Sequence, residues 1–406
     1  MRMGSTLIPS LSSPDRGPDQ PHLSQRTART SSSSQGCLRI PDGNARNRPA
    51  GRERVDVQFA RARRPLIGAA VCLSVLVSTA CTTTVHGGTG APSSSAPASP
   101  SASYPPMNAA SLVGKFPVTQ PQRIVYPVPD GAPDPEQNYG ELYLPANPAL
   151  QQNPSGGPLS ARTTIQLPAQ IPVVVLLHGG GWRTPSAAGS MSEMARSLVS
   201  HGVAVWNVEY RRIGAGGGYP VTLTDTAAAI DFLQTVKAQY APNLDLNDVV
   251  VAGHSAGGQL AVWASARSML TPGAMGSVPA VTPAAVVSMG GVLDMRRAVA
   301  DGNVNTRLFL GLPDEFPQQF AVADPIQNIN PKVPVTCFNG TADRIVRPAG
   351  CEAFVAALRS KGGRGETVLL PGAGHNIYLP SQSQNRYWPV VQKAILGYVD
   401  EFRPRG

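Results

Sequence analysis

Short, largely apolar runs recur along the C-terminal part of the chain, at residues 173–177, 203–208, 249–252, 285–288, 335–338 and 367–370. Runs of this length without polar alternation predict strands buried on both faces. Between them, apolar positions three and four residues apart predict helices over 190–201, 224–240, 257–269, 348–361 and 387–402. Two earlier segments, 124–128 and 141–144, alternate as an antiparallel edge pair would. Strand and helix alternating in this way predict an α/β fold over residues 118–406, with helices on both faces of a mostly parallel central sheet. Residues 146–170 read as a polar loop, and no internal repeat is evident.

The pattern fails before residue 118. Residues 1–60 are rich in Ser, Pro, Arg and Gly with no apolar period, and read as a disordered or untranslated leader. Arg61, Arg63 and Arg64 then precede an apolar run over 66–80 that closes on Ser78, Thr79, Ala80 and Cys81. Basic, then apolar, then small residues describe a secretory signal over 61–81. The run is shorter than the ~20 residues a membrane-spanning helix needs. A signal preceded by some sixty residues is abnormal, and translation starting near Val55 would explain it. The end of the segment resembles a bacterial lipoprotein lipobox with Cys81 as the lipidated residue, although Ser78 stands where that pattern has Leu or Val. Cleavage after Ala80 and an uncleaved anchor remain alternatives. Lipidation is placed first because the Ser/Ala/Pro-rich stretch 82–117 has the composition of a flexible tether.

Charge changes the picture less than its total implies. The 406-residue chain carries a formal +9, from 34 Lys and Arg against 25 Asp and Glu. Residues 1–64 hold 12 of the arginines and 5 of the acids, leaving 22 basic against 20 acidic residues in the rest. The body is therefore near neutral, and the net charge is no argument for a nucleic-acid partner.

Chemistry concentrates in two glycine-rich turns. Gly253-His254-Ser255-Ala256-Gly257 lies between an apolar strand and a helical segment, the context in which a sharp turn exposes a nucleophilic serine. His178-Gly179-Gly180-Gly181-Trp182 follows an earlier strand, where consecutive glycines can turn N–H groups toward a developing oxyanion. Gly180, Gly181 and Ala256 are the candidate donors. His375, in a Gly-rich loop after the last strand, is the only histidine C-terminal to Ser255 and the candidate base. Asp343 follows the preceding strand and is the candidate acid, with Asp294 as its rival. The order Ser255, Asp343, His375 fits a nucleophile–acid–base triad.

With these motifs the chain resembles the α/β-hydrolase superfamily, within it the esterase/lipase group carrying H-G-G-G-W and G-H-S-A-G-G, which includes acetyl/feruloyl-esterase-like and kynurenine formamidase-like enzymes. Glu141-Leu-Tyr-Leu-Pro145, Asn207-Val-Glu-Tyr-Arg211 and Gly217-Gly218-Tyr219-Pro220 with Asp225 add to the resemblance. It implies a serine hydrolase acting on short-acyl or aryl esters through an acyl-enzyme, or alternatively an aryl formamidase or amidase on the same triad. A surface binding module that keeps the fold without turnover is a third reading.

Trp182, Tyr219 and Tyr378 are candidates for a substrate pocket, whereas Tyr210 is read as packing. Glu209 and Arg211 are expected to form a structural ion pair, and Asp225 to cap a helix N-terminus. Cys337 and Cys351 flank the Asp343 loop; a disulfide and two buried thiols are both open. Neither His spacing nor Cys pairs imply a metal, and no cofactor is expected. The expected partner is a small-molecule ester, with membrane attachment through Cys81 and an open oligomeric state. The expected location is the bacterial cell surface, or otherwise the secreted fraction.

Overall fold

The computed structural model describes residues 114, 116–146, 169–376, 378 and 386–402. The leader, the segment 61–81 with Cys81, and nearly all of the linker 82–117 lie outside the described residues.

Alternation of side chains explains the central layer. In β3 (Ile171–Leu177) every residue is buried, but Val173, Val175 and Leu177 join one core cluster while Val174 and Leu176 join another. A strand's period of two thus sends its side chains to opposite faces, and both must be covered. The neighbours β4 (Ala204–Val208), β5 (Leu244–His254), β6 (Ala285–Met289), β7 (Val335–Gly340) and β8 (Gly365–Leu370) extend the parallel sheet. β1 (Gln122–Val125) and β2 (Tyr139–Tyr143) pair antiparallel, Gln122 opposite Leu142. The order is β1-β2-β4-β3-β5-β6-β7-β8. The expected edge pair is an edge strand and an inner one, since β2 also pairs antiparallel with β4.

The faces are covered unequally. α1 (Ser192–Val199) and α9 (Trp388–Phe402) fill one face through Met194, Leu198, Val391 and Ile395. Trp388 Nε1 and Gln392 Nε2 donate to Ser197 Oγ at 3.0 and 2.9 Å and tie these helices together. The other face takes α2 (Val221–Asp231), α3 (Leu233–Gln239), α4 (Ala256–Ser265) and α8 (Pro348–Ser360) through Leu223, Val236, Leu260 and Phe354. The single helix expected over 224–240 is broken at Phe232 into α2 and α3.

Three short helices were not expected: α5 (Met295–Ala300), α6 (Val304–Leu310) and α7 (Pro317–Ala323), inserted between β6 and β7. None exceeds seven residues, too short for an apolar period to repeat. Caps define two of them instead: Asp294 accepts from the Arg297 N–H, and Asn303 from the Thr306 N–H. That role also removes Asp294 as rival acid.

Candidate active site

Ser255 joins the end of β5 to the start of α4 with φ 54° and ψ −118°, a conformation that costs a non-glycine residue about 1–3 kcal/mol. Its N–H donates to Met289 O at 2.8 Å, anchoring the turn to β6. The flanking glycines are required by space. A Cβ on Gly257 would lie 2.1 Å from Leu177 O, and one on Gly253 would lie 2.1 Å from Gly257 O.

The structure brings the three residues of the expected triad into one line. Ser255 Oγ is 2.8 Å from His375 Nε2, and His375 Nδ1 is 2.7 Å from Asp343 Oδ2. The other carboxylate oxygen, Oδ1, accepts the N–H groups of Ile345 and Val346, each at 2.9 Å. An ionised Asp343 can only accept, so Nδ1 donates to it and Nε2 is left to take the Ser255 proton.

His254, next to the nucleophile, has a role that its place in the motif did not reveal. It is buried, and its Nε2 lies 2.9 Å from the His375 carbonyl oxygen. Burial, helped by the neighbouring His375, pushes its pKa down to about 4. At neutral pH it is therefore an uncharged donor that fixes the backbone of His375.

The glycine loop after β3 has Gly180 at φ 116° and Gly181 at φ 62°, backbone that an L side chain resists. Among the described residues, nothing accepts the N–H of Gly180, Gly181 or Ala256. Behind the loop, His178 stacks on Tyr210 with centroids 4.2 Å apart. Tyr210 donates its hydroxyl to His178 O at 2.6 Å, so it does more than pack. His178 Nε2 lies 3.0 Å from Glu209 Oε1, whose other oxygen accepts the Ala188 N–H at 2.8 Å. Burial alone would raise the Glu209 carboxyl, but its hydrogen bond to His178, the charge of Arg212 and the Ala188 N–H outweigh it and hold the carboxyl below its ordinary range.

The expected Glu209–Arg211 pair is not formed. Glu209 pairs with Arg212, while Arg211 reaches Asp225 and Asp130, each at 2.7 Å. The turn after β4 sends residues 209 and 212 inward beneath the glycine loop and residue 211 toward α2. Asp225 is accordingly no N-cap. It sits inside α2, buried, also accepting Asn138 Nδ2 at 2.8 Å.

The cleft over Ser255, about 360 Å³, is lined by residues 179–181, Ser186, Ser190, His254, Asn305, Ile345, His375 and Asn376. The three aromatic candidates do not line it. Trp182 is buried, stacks on Phe309 at 4.7 Å and donates to Gln259 Oε1 at 3.0 Å. Tyr219 meets Phe309 edge-on, and Tyr378 is buried 5.8 Å from the His254 ring. Trp182 and Tyr378 are buried behind the walls and Tyr219 is half-buried beside them, as large ring area favours. Asn305 and Ile345, which do line it, follow no readable motif. Cys337 and Cys351 are joined as a disulfide with Cα atoms 6.2 Å apart, linking β7 to α8.

Residues 164–358 match the BD-FAE family model. A non-reducing polyketide synthase, Preu6 of Preussia isomera, is 26% identical over 198 residues, a match spanning 46% of this chain and 8% of that protein. Among solved structures, the bifunctional GH43-CE protein of Bacteroides eggerthii is similar with a TM-score of 0.52 and 23% identity, over 69% of this chain and 38% of that one. The esterase Est2 of Thermogutta terrifontis, solved with propionate bound, is similar with a TM-score of 0.53 and 20% identity, over 71% and 97% of the two chains. These likenesses establish the fold.

Proposed function

We propose that this chain, an α/β-hydrolase by fold, is a serine esterase that cleaves short-acyl or aryl carboxylic esters through an acyl-enzyme. The observation that carries this reading is the unbroken hydrogen-bonded line from Ser255 through His375 to Asp343, beside N–H groups that have no acceptor among the described residues. As Ser255 Oγ attacks the ester carbonyl, His375 Nε2 takes its proton, and Asp343 holds the imidazolium in place. The carbonyl oxygen becomes an oxyanion facing Gly180, Gly181 and Ala256; one such donor is worth about 10²–10³ in rate. Collapse expels the alcohol, which leaves with the proton from His375. Water, deprotonated by the same nitrogen, then releases the acid and restores Ser255.

A cleft of about 360 Å³ favours short acyl groups, and the propionate bound to Est2 is an acid of that size. The test is a panel of p-nitrophenyl esters from acetate to decanoate on wild type and Ser255→Ala. Wild type is expected to favour the short members, and the variant to lose about 10⁴-fold or more in kcat. Hydrolysis at an undiminished rate in the variant removes the mechanism.

We further infer export, with lipidation of Cys81 and the stretch 82–117 as tether; simple secretion is the alternative. The basic-then-apolar segment before Cys81 and the Cys337–Cys351 disulfide support an oxidising destination. Intact-mass measurement of the mature N-terminus separates a diacylated Cys81 from an unmodified one.

A further inference from the structure

Asn305 and Ile345 form one side of the cleft over Ser255. Both residues also line a second cavity of about 210 Å³. One wall of that cavity comes from α5 and the start of α6, the other from the residues that follow Asp343. The walls are tied where Asn303 Nδ2 donates to Ile345 O at 2.9 Å. The second space is thus bordered by the loop that carries the candidate catalytic acid.

Its charge is out of balance. Arg297, Arg344 and Arg347 line it, against the carboxylates of Asp294 and Asp301. Asp294 is occupied at 2.9 Å by the Arg297 N–H that it caps. Asp301 is divided between Arg297 and Arg347, each 3.9 Å away, the outer limit of an ion pair. Arg344 has no acidic partner among the described residues. Arg183 lies outside this lining and donates to Asn305 Oδ1 at 3.4 Å. With 22 basic against 20 acidic residues beyond position 64, this is a local excess of positive charge.

We propose that this cavity is a subsite for the acidic end of the substrate: the ester carries a carboxylate, held by Arg344 with Arg297 and Arg347, while its scissile carbonyl lies at Ser255. A planar carboxylate suits the guanidinium fork. A single negative charge matches an excess of one cation, whereas a dianion would also meet Asp294 and Asp301. Apolar Val292, Val304 and Ile345 line the way for the intervening carbons. The proposal rests on the serine-esterase reading and goes beyond it in naming the substrate class.

The test uses two matched ester pairs. p-Nitrophenyl butyrate against p-nitrophenyl hemisuccinate puts the charge on the acyl side, and 4-acetoxybenzamide against 4-acetoxybenzoate puts it on the alcohol side. The readout is the charged-over-neutral ratio of kcat/KM, so a general loss of activity cancels. Wild type is expected to prefer the charged member of one pair. Arg344→Ala and the Arg297→Ala/Arg347→Ala double variant should each lower that ratio about fivefold or more, the scale of an exposed ion pair. The loss should appear in KM, Arg344→Lys should restore part of it, and added salt should erode the wild-type preference. A ratio of one or less in both pairs, or a preference that survives the arginine variants, overturns the proposal. Should neither pair be hydrolysed, the esterase reading fails separately, and labelling of Ser255 by matched phosphonates with and without a carboxylate still reads the subsite. Labelling at equal rates, or no labelling, also overturns it.

Discussion

At the scale of the residue, the site depends on a few side chains with every polar atom committed. Asp343 divides its two oxygens between His375 and the N–H groups of Ile345 and Val346. Asp343→Asn keeps the shape but cannot keep the pattern, because an amide nitrogen now faces a ring nitrogen or a backbone donor. Stopped assays should show kcat lower by about 10⁴-fold, with the melting temperature little changed. Glu209 is the second such residue, accepting Ala188 N–H and Tyr210 N–H and pairing with His178 and Arg212. Glu209→Gln removes the charge from a buried cluster of donors, so urea titration should show a loss of about 3 kcal/mol. Ser255 and His375 were legible because motif and chain order single them out, and Asp343 because it follows the strand before the histidine's. The partners of Glu209 and Arg211 were not, since residues two and three apart in an irregular turn face in directions that no periodicity encodes.

Elements position these residues through close approach. α4 runs so near β3 that Gly257 has no room for a methyl group, with Leu177 O and His178 O both within 2.4 Å of where it would stand. Gly257→Ala must push the helix off the strand, taking Ser255 and Ala256 with it. The expected cost is about 3 kcal/mol in a urea titration, accompanied by loss of ester hydrolysis. The strands β3 to β8 were legible as short apolar runs, most of them buried on both faces, and the five main helical segments by their apolar period. α5, α6 and α7 were not, for they are fixed by caps such as Asp294 and Asn303 and by single buried anchors such as Phe309 and Phe320. The cleft wall carrying Asn305 was missed along with them. An unbroken 224–240 helix was expected because the apolar period runs on across Phe232, where α2 ends and α3 begins although Phe232 itself keeps helical dihedrals.

At the scale of the whole domain, two buried groups give opposite responses to acid. The folded-state pKa of His254, about 4, lies below its ordinary 6.5. The native state therefore binds this proton less readily than the unfolded chain, and the contribution is complete above pH 6.5 and lost as pH falls toward 4. Asp324 runs the other way. Burial raises its carboxyl from 3.8 to about 6, so its contribution is complete below pH 3.8 and lost as pH rises through 6. Between pH 6 and 4.5 the two changes oppose each other. Asp324→Asn removes one of them, and urea midpoints for that variant should fall with acidification by up to about 1.4 kcal/mol per pH unit more steeply than wild type.

The bond between Cys337 and Cys351 also makes the candidate acid's address topological. Asp343 rides on a closed ring whose two anchors lie in β7 and α8, and a ring of about fifteen residues denies the unfolded chain about 3 kcal/mol of conformational freedom. Material made in a reducing cytosol would carry the same sequence without that closure. Treated with a thiol reductant, the oxidised protein should drop to the thermal midpoint of the cytosolic preparation, and exposure to a mild oxidant should lift both to one value. A single polypeptide would then exist in two durability grades, written by the compartment that matured it.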